Sequence, residues 1–210
     1  EIVFGDPIAT AKAAVQRLKQ EEKVDVAIAL SHGGVVKRPD GQFGQGEDLN
    51  LLTAIPELDV VIGGHTHSEL REPLFVDHRP VVQAGKYGEH LGELVLSFEK
   101  GRVTVVSYQL IPVDDHIQGD PAIQNRIEHF LQQAGEVTFA PRGYATTQPL
   151  VVISEDWPMD YADIESGTPL ANVVTDALRL ATNSQIAFTA NGAIRAGLTK
   201  GKTGVQTVYD

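Results

Sequence analysis

The sequence predicts an α/β protein: a parallel, helix-covered sheet first, then a strand-rich stretch, then the beginning of a second α/β unit. Three observations carry this. Residues 7–62 alternate helix, strand, helix, strand, the order that builds parallel sheets. The apolar runs at 24–30 (VDVAIAL) and 60–62 (VVI) read as buried strands. From residue 74 onward, short apolar runs are broken by glycines and charged pairs, the pattern of hairpins.

Asp6-Pro7 makes a helix start, and Ala11, Ala14, Val15 and Leu18 recur at helical spacing through residues 7–22. This helix feeds the strand at 24–30. Residues 33–46 read as a polar, glycine-rich loop containing Pro39. Glu47-Asp48 then lead a short apolar helix, 49–55, which ends before Pro56 and delivers the chain to the strand at 58–62. Short strands follow at 74–76, 81–83, 91–98 and 103–110, the last two joined as a hairpin through residues 99–102. A third helix spans 120–134, with Asp120 as N-cap, Pro121 in the first turn, and Ile123, Ile127, Phe130 and Leu131 on one face. Gly135 is its expected stop. A new unit begins near residue 137. It has a strand at 150–153, an acidic polar stretch to 168, and a helix at 169–182 with Leu170, Val173, Val174, Ala177 and Leu178 as its buried stripe. A strand at 185–189 then runs into Ala190-Asn191-Gly192-Ala193-Ile194-Arg195. No internal repeat or low-complexity tract is present.

The 210 residues suffice for one large domain or parts of two, and 42% hydrophobic content supports a core. A formal net charge of −11 argues against a nucleic-acid or anionic-membrane partner, since no basic field attracts phosphate backbones. It does not exclude a small phosphorylated substrate held through metal ions. There are no cysteines, hence no disulfide and no thiolate metal site. Any metal must rest on His, Asp, Asn or Glu, which suits Mn²⁺, Zn²⁺, Mg²⁺ or Fe. No apolar run is long enough to span a bilayer. The chain opens on Glu1 and closes on Val208-Tyr209-Asp210, and it reads as cut at both ends.

Two strand ends carry the same grammar. The run at 60–62 is followed by Gly63-Gly64-His65-Thr66-His67, and the run at 24–30 by Ser31-His32-Gly33-Gly34. A glycine pair after a buried strand reads as a tight turn where only glycine is comfortable. It would place His32, His65 and His67 at the carboxyl edge of a parallel sheet, where α/β proteins bind ligands. Imidazoles gathered there make a metal site. One histidine after one strand is ordinarily a hydrogen-bonded loop residue; three, at two strand ends, are a signal. His78, His90, His116 and His129 lack this setting and read as surface or structural.

Over nearly its whole length, and in order, the chain resembles the 5'-nucleotidase branch of the calcineurin-like metallophosphoesterases. The matching pieces are DVAIALSHGG (25–34), DVVIGGHTH (59–67), VVQAGKYGEHLGELVLSFEKGRV (81–103), TPLANVVTDAL (168–178) and ANGAIR (190–195). The resemblance implies a four-layer β-sandwich flanked by helices and hydrolysis of phosphate esters, above all 5'-nucleotides, by two divalent metal ions (Mn, Zn, Mg or Fe). By motif, His32 and His65 would bind one ion and His67 the other. Residues 1–113 would be the C-terminal part of the catalytic domain, 114–136 a linker helix, and 137–210 the start of the substrate-binding domain. There Asn191, Gly192 and Arg195 would hold substrate, Arg195 by presenting a guanidinium to an anion.

Two departures stand out. The loop reads ANGAIR where many members have three glycines, and Asp163, Ile164 and Glu165 stand where an arginine often precedes the helix at 169. The family's Asp-x-His, bridging Asp and Asn-His-Glu belong to earlier strands. The chain is thus expected to lack several ligands and the acid histidine, to carry no catalytic residue itself, and to be inactive alone within an active parent. Without those strands, Val26, Ile28, Val60 and Ile62 are expected to show exposed apolar edges or to meet another chain. The family implies a periplasmic or secreted location and a nucleotide or other small phosphorylated partner; it does not fix an oligomeric state. Two alternatives stay open: a thiosulfohydrolase of the sulfur-oxidation branch, and a non-catalytic binding module.

Overall fold

The computed structural model describes residues 5–158, 167–190, 193–194 and 196–204. The chain separates into two compact units, Glu1–Gln118 and Gly119–Asp210.

In the first unit, α1 (Pro7–Gln20) starts where the Asp6 carboxylate accepts from the backbone N–H of Ile8 (2.9 Å) and Ala9 (3.1 Å), with Pro7 in the first turn. Four short strands form one sheet in the order β1 (Ile28–Leu30), β4 (Val60–Ile62), β6 (Arg79–Val82), β5 (Leu74–Val76). β1, β4 and β6 are parallel, while β5 returns antiparallel to β6. The Asp59 carboxylate fastens the start of this sheet. It receives the Lys19 ammonium at 2.7 Å and the Ala27 N–H at 2.8 Å, so one side chain ties α1, β1 and β4 together. Between β1 and β4 run a small hairpin, β2 (Val36–Lys37) and β3 (Phe43–Gln45), and the helix α2 (Glu47–Ala54). The hairpin corrects the reading of 33–46 as a plain loop. Its strands are two and three residues long, too brief to show alternation.

Leu52, Ile55 and Leu58, from α2 and the segment after it, pack with Val61, Val81 and Val15 as the core. Each such side chain contributes about 1.5–3 kcal/mol of burial. Arg79 closes the α2–β4 connection, donating to the carbonyls of Ile55 (2.8 Å) and Leu58 (3.2 Å). Ile28 and Ile62 are exposed as expected. Val60 is not: it is fully buried, lying in the strand flanked by β1 on one side and β6 on the other. The hairpin β7 (His90–Glu99) and β8 (Arg102–Pro112) turns through Lys100 and Gly101, both at positive φ, as a two-residue turn matching strand twist requires.

In the second unit, Asp120 caps α3 (Pro121–Ala134) through the N–H groups of Ala122 and Ile123. The apolar face of α3 is exposed at Ile123, Ile127 and Phe130. The α-helix ends at Ala134 with Gly135 as its C-cap, as expected, but Gly135 is not a left-handed stop. It takes a right-handed φ of −55°, and the chain continues through a π-type turn (Gly135–Phe139) and a 3₁₀ turn (Ala140–Arg142) to Gly143 at φ 80°. β9 (Pro149–Ile153) pairs antiparallel with β10 (Gly201–Gly204). Thr168 caps α4 (Pro169–Thr182), where Leu170 is buried but Val173 and Leu178 are exposed, against the expected stripe. Residues 185–189 form no strand; among the described residues no neighbouring strand pairs with this apolar run, and Ile186 and Phe188 are exposed.

Candidate metal centre

Because β1 and β4 are adjacent and parallel, their carboxyl ends open on one sheet edge, and the loops that follow them meet there. The His32 and His65 rings lie 5.0 Å apart, centroid to centroid, at 61°. Two imidazoles that share one ion at metal–nitrogen distances of about 2.1 Å place their ring centres roughly 5 Å apart, so this pair fits a common ion. His67 stands apart from them. Its ring meets the edge of Tyr87 at 5.2 Å and 63°. All three histidines are exposed. Among the described residues, no three His, Asp or Glu side chains converge as a complete metal cage.

The glycines do a different job from the one their sequence suggests. Gly63 and Gly64 do not need a left-handed backbone; they provide room. A Cβ on Gly63 would stand 2.1 Å from Oδ2 of Asp48, and one on Gly64 would stand 3.0 Å from Nδ1 of His32. Gly34 does need its positive φ of 79°, and its Cα approaches so closely that a Cβ would lie 2.5 Å from the Gly64 carbonyl. The two loops therefore touch through glycine. The left-handed backbone falls instead on the histidines, His65 at φ 70° and His67 at φ 56°. Such conformations cost of order 1–3 kcal/mol each and persist where the surroundings over-determine them.

The surroundings are polar and buried. The Thr66 hydroxyl, between the two histidines, accepts from the Val35 N–H and sits 3.2 Å from both Ser68 Oγ and the Gln83 side-chain amide. Ser68 donates to the Val35 carbonyl at 2.7 Å, and the Gln83 carbonyl accepts from Leu70 N–H at 3.1 Å. On the β1 side, Ser31 Oγ donates to Oδ1 of Asp48 at 2.5 Å and accepts from the Gly33 N–H at 3.0 Å. The Tyr108 hydroxyl of β8 donates to the Gln83 carbonyl at 3.4 Å; burial raises the Tyr108 phenol above its ordinary 10.0, outweighing the lowering effect of that bond.

Sequence reasoning missed several of these residues. Tyr87 and Lys86 follow β6, with Tyr87 also left-handed at φ 52° and the Lys86 ammonium 5.3 Å above its ring. Their signal was present: Gly85 and Gly88 follow the apolar run of β6, as glycines follow β1 and β4. Asp48 and Gln83 carried no comparable signal. Asn191, Gly192 and Arg195 lie outside the described residues. His78, His116 and His129 are exposed, and His90 is half-buried with Nδ1 lacking a partner.

No family model matches the chain. It is 30% identical over 210 residues, 95% of its length, to the trifunctional nucleotide phosphoesterase protein YfkN of Bacillus subtilis, of which it spans 13%. It is 31% identical over 132 residues to the 5'-nucleotidase of Vibrio cholerae, covering 54% of this chain and 24% of that protein. The chain thus spans less than a quarter of the length of either curated relative. Among solved structures, its fold is similar to that of the Thermus thermophilus sulfate thiohydrolase SoxB in complex with glycerol. The TM-score is 0.64 at 17% identity, covering 98% of this chain and 34% of that one. It is also similar to a Staphylococcus aureus chain assigned as a 5'-nucleotidase, in complex with alpha-ketoglutarate, with a TM-score of 0.56 at 19% identity over 98% of this chain and 39% of that one. Matched in sequence over almost all of its length, and carrying the mixed α/β fold of these structures, the chain belongs to the 5'-nucleotidase branch of the metallophosphoesterase superfamily.

Proposed function

We propose that this chain supplies the histidine edge of a two-metal phosphoesterase that releases phosphate from 5'-nucleotides. The observation that carries the reading is the pairing of the His32 and His65 rings at 5.0 Å on one sheet edge, with His67 held apart on the same loop as His65. This supports His32 and His65 as ligands of one ion and His67 as a ligand of a second, drawn from Mn, Zn, Mg or Fe. Bound there, the ions would activate water and offset charge on the phosphoryl oxygens. The chain's own residues position: Thr66, Ser68 and Gln83 fix the loop that carries two of the ligands, and the glycines let the third approach. Asn191, Gly192 and Arg195 would contact substrate from the second unit.

The remaining ligands and the acid histidine would come from elsewhere in the full-length protein, so the 210 residues alone would be inactive. We read residues 1–113 as the end of the catalytic domain within a four-layer sandwich, 114–136 as a linker helix, and 137–210 as the start of the substrate domain. Among the described residues no helix is long and apolar enough to cross a membrane; a periplasmic or secreted site of action is inferred from the resemblance. The test is phosphate release from AMP with added Mn²⁺, for the full-length protein and for this chain. Activity in the full-length protein only is expected. A full-length protein that leaves AMP intact but cleaves a thiosulfonate would overturn the nucleotide reading, and activity in the chain alone would overturn the account of its missing ligands.

A further inference from the structure

Among the described residues, Asp48 is the one buried carboxylate, with no exposed surface at all. It sits in the first turn of α2, beneath both histidine loops rather than in either. Oδ1 accepts from Ser31 Oγ, which in turn accepts from the Gly33 N–H, so this oxygen clamps the residues on each side of His32. The Asp48 N–H donates to the Gly34 carbonyl at 3.2 Å, a second hold on that loop. Oδ2 is buried without a hydrogen-bond partner and lies against Gly63, whose missing side chain is the space it fills. A carboxylate kept from water with half of its acceptors idle is costly, and an apolar residue would serve the core better. What Asp48 does that no apolar residue could is bind one loop while bearing on the other.

We propose that Asp48 is a positioning residue for the metal-binding histidines: through Ser31 and Gly63 it sets the spacing of the loops that hold His32 and His65. The inference rests on the metal-centre reading above. It also gives a reason for the glycine at 63, where any Cβ would displace the carboxylate. Residues that orient metal ligands without touching the ion typically alter affinity about 10–100-fold when lost.

The test uses the full-length protein and reads Mn²⁺ affinity from free-ion titration, apart from turnover. Asp48→Ala is expected to raise the Mn²⁺ dissociation constant about 10–100-fold. Ser31→Ala, which leaves Asp48 in place and serves if Asp48→Ala fails to fold, is expected to shift it in the same direction. Asp48→Asn, which retains an acceptor for the Ser31 hydroxyl, is expected to recover most of the loss. Leu52→Ala, a core truncation in the same helix, should lower stability and leave Mn²⁺ affinity unchanged. The proposal is overturned if folded Asp48→Ala and Ser31→Ala proteins bind Mn²⁺ as the wild type does, or if Leu52→Ala weakens binding as much as they do. Wild-type protein that binds no Mn²⁺ overturns the metal-centre reading and this one with it.

Discussion

His65 and His67 hold left-handed backbone conformations that a glycine would adopt freely, and both rings are exposed. Of the seven non-glycine residues with positive φ among those described, Lys23, Asp77, Lys100 and Asn183 sit at ordinary turns or helix ends. His65, His67 and Tyr87 cluster at the sheet edge. The Thr66, Ser68 and Gln83 hydrogen bonds hold the backbone of this loop in place, and left-handed backbone kept in this way beneath exposed imidazoles supports the ligand role proposed for them. Replacing His67 with glycine should therefore raise stability by about 1 kcal/mol while weakening metal binding. Chemical denaturation reads the first and Mn²⁺ titration the second. A His67→Gly protein that is less stable than wild type would show that the ring is a structural element. That the three histidines follow two strands opening on one sheet edge was legible in the sequence, because strand, glycine pair and histidine recur together at 28–34 and 60–67. The division of labour was not. Sequence assigns backbone freedom to Gly63-Gly64, yet whether a glycine serves φ or space depends on what approaches it, here Asp48 and His32 from distant parts of the chain.

At the scale of elements, the starts of α1, α3 and α4 were legible, as was the end of α4 at Thr182, whereas α2 begins at Glu47, two residues before the expected start and without a side-chain cap. Asp6, Asp120 and Thr168 all cap as their types and the following prolines suggest, because capping is a contact within three residues. The stop of the helical run that α3 begins depends on more. Gly135 remains right-handed and a later glycine, Gly143, takes the left-handed φ that terminates the run. This separates two substitutions that sequence would rank the other way. Gly143→Ala has open space around it but must hold φ 80°, and is expected to cost about 1 kcal/mol. Gly135→Ala gains helix propensity of roughly 1 kcal/mol, set against one tight contact of 3.2 Å with the Thr146 methyl, and should be nearly neutral. Urea midpoints for the two variants decide it; equal losses would mean that the chain stops at both. Strands follow the same logic. β7 and β8 were readable because a hairpin brings its own partner. Residues 185–189 look like a strand in composition, but an extended run becomes one only where a neighbour supplies the ladder.

For the whole molecule, the question is what its uncovered apolar surface does. Among the described residues β1 is an edge strand, bonded to β4 alone, and its Leu30 is 83% exposed beside Ile28 and Ile62. An edge of this kind, short but apolar, is a template for pairing with another chain. A net charge of −11 opposes such association at low ionic strength, and salt screens that repulsion beyond about 10 Å at 0.1 M. The 210-residue chain is therefore expected to self-associate more as salt rises, the reverse of contacts held by charge. Leu30→Lys should reduce association at every salt concentration, because it places a solvated cation on the edge itself. It should leave the unfolding free energy within about 0.5 kcal/mol of wild type, since so exposed a leucine contributes little to the core. Sedimentation velocity across a salt series reads the first effect and urea unfolding the second. If Leu30→Lys associates as the wild type does, the contact surface lies elsewhere, with Ile186 and Phe188 of the second unit the next exposed pair to examine. If it lowers stability sharply, Leu30 is covered in solution, and the face of β1 belongs to an interface that the isolated chain already forms.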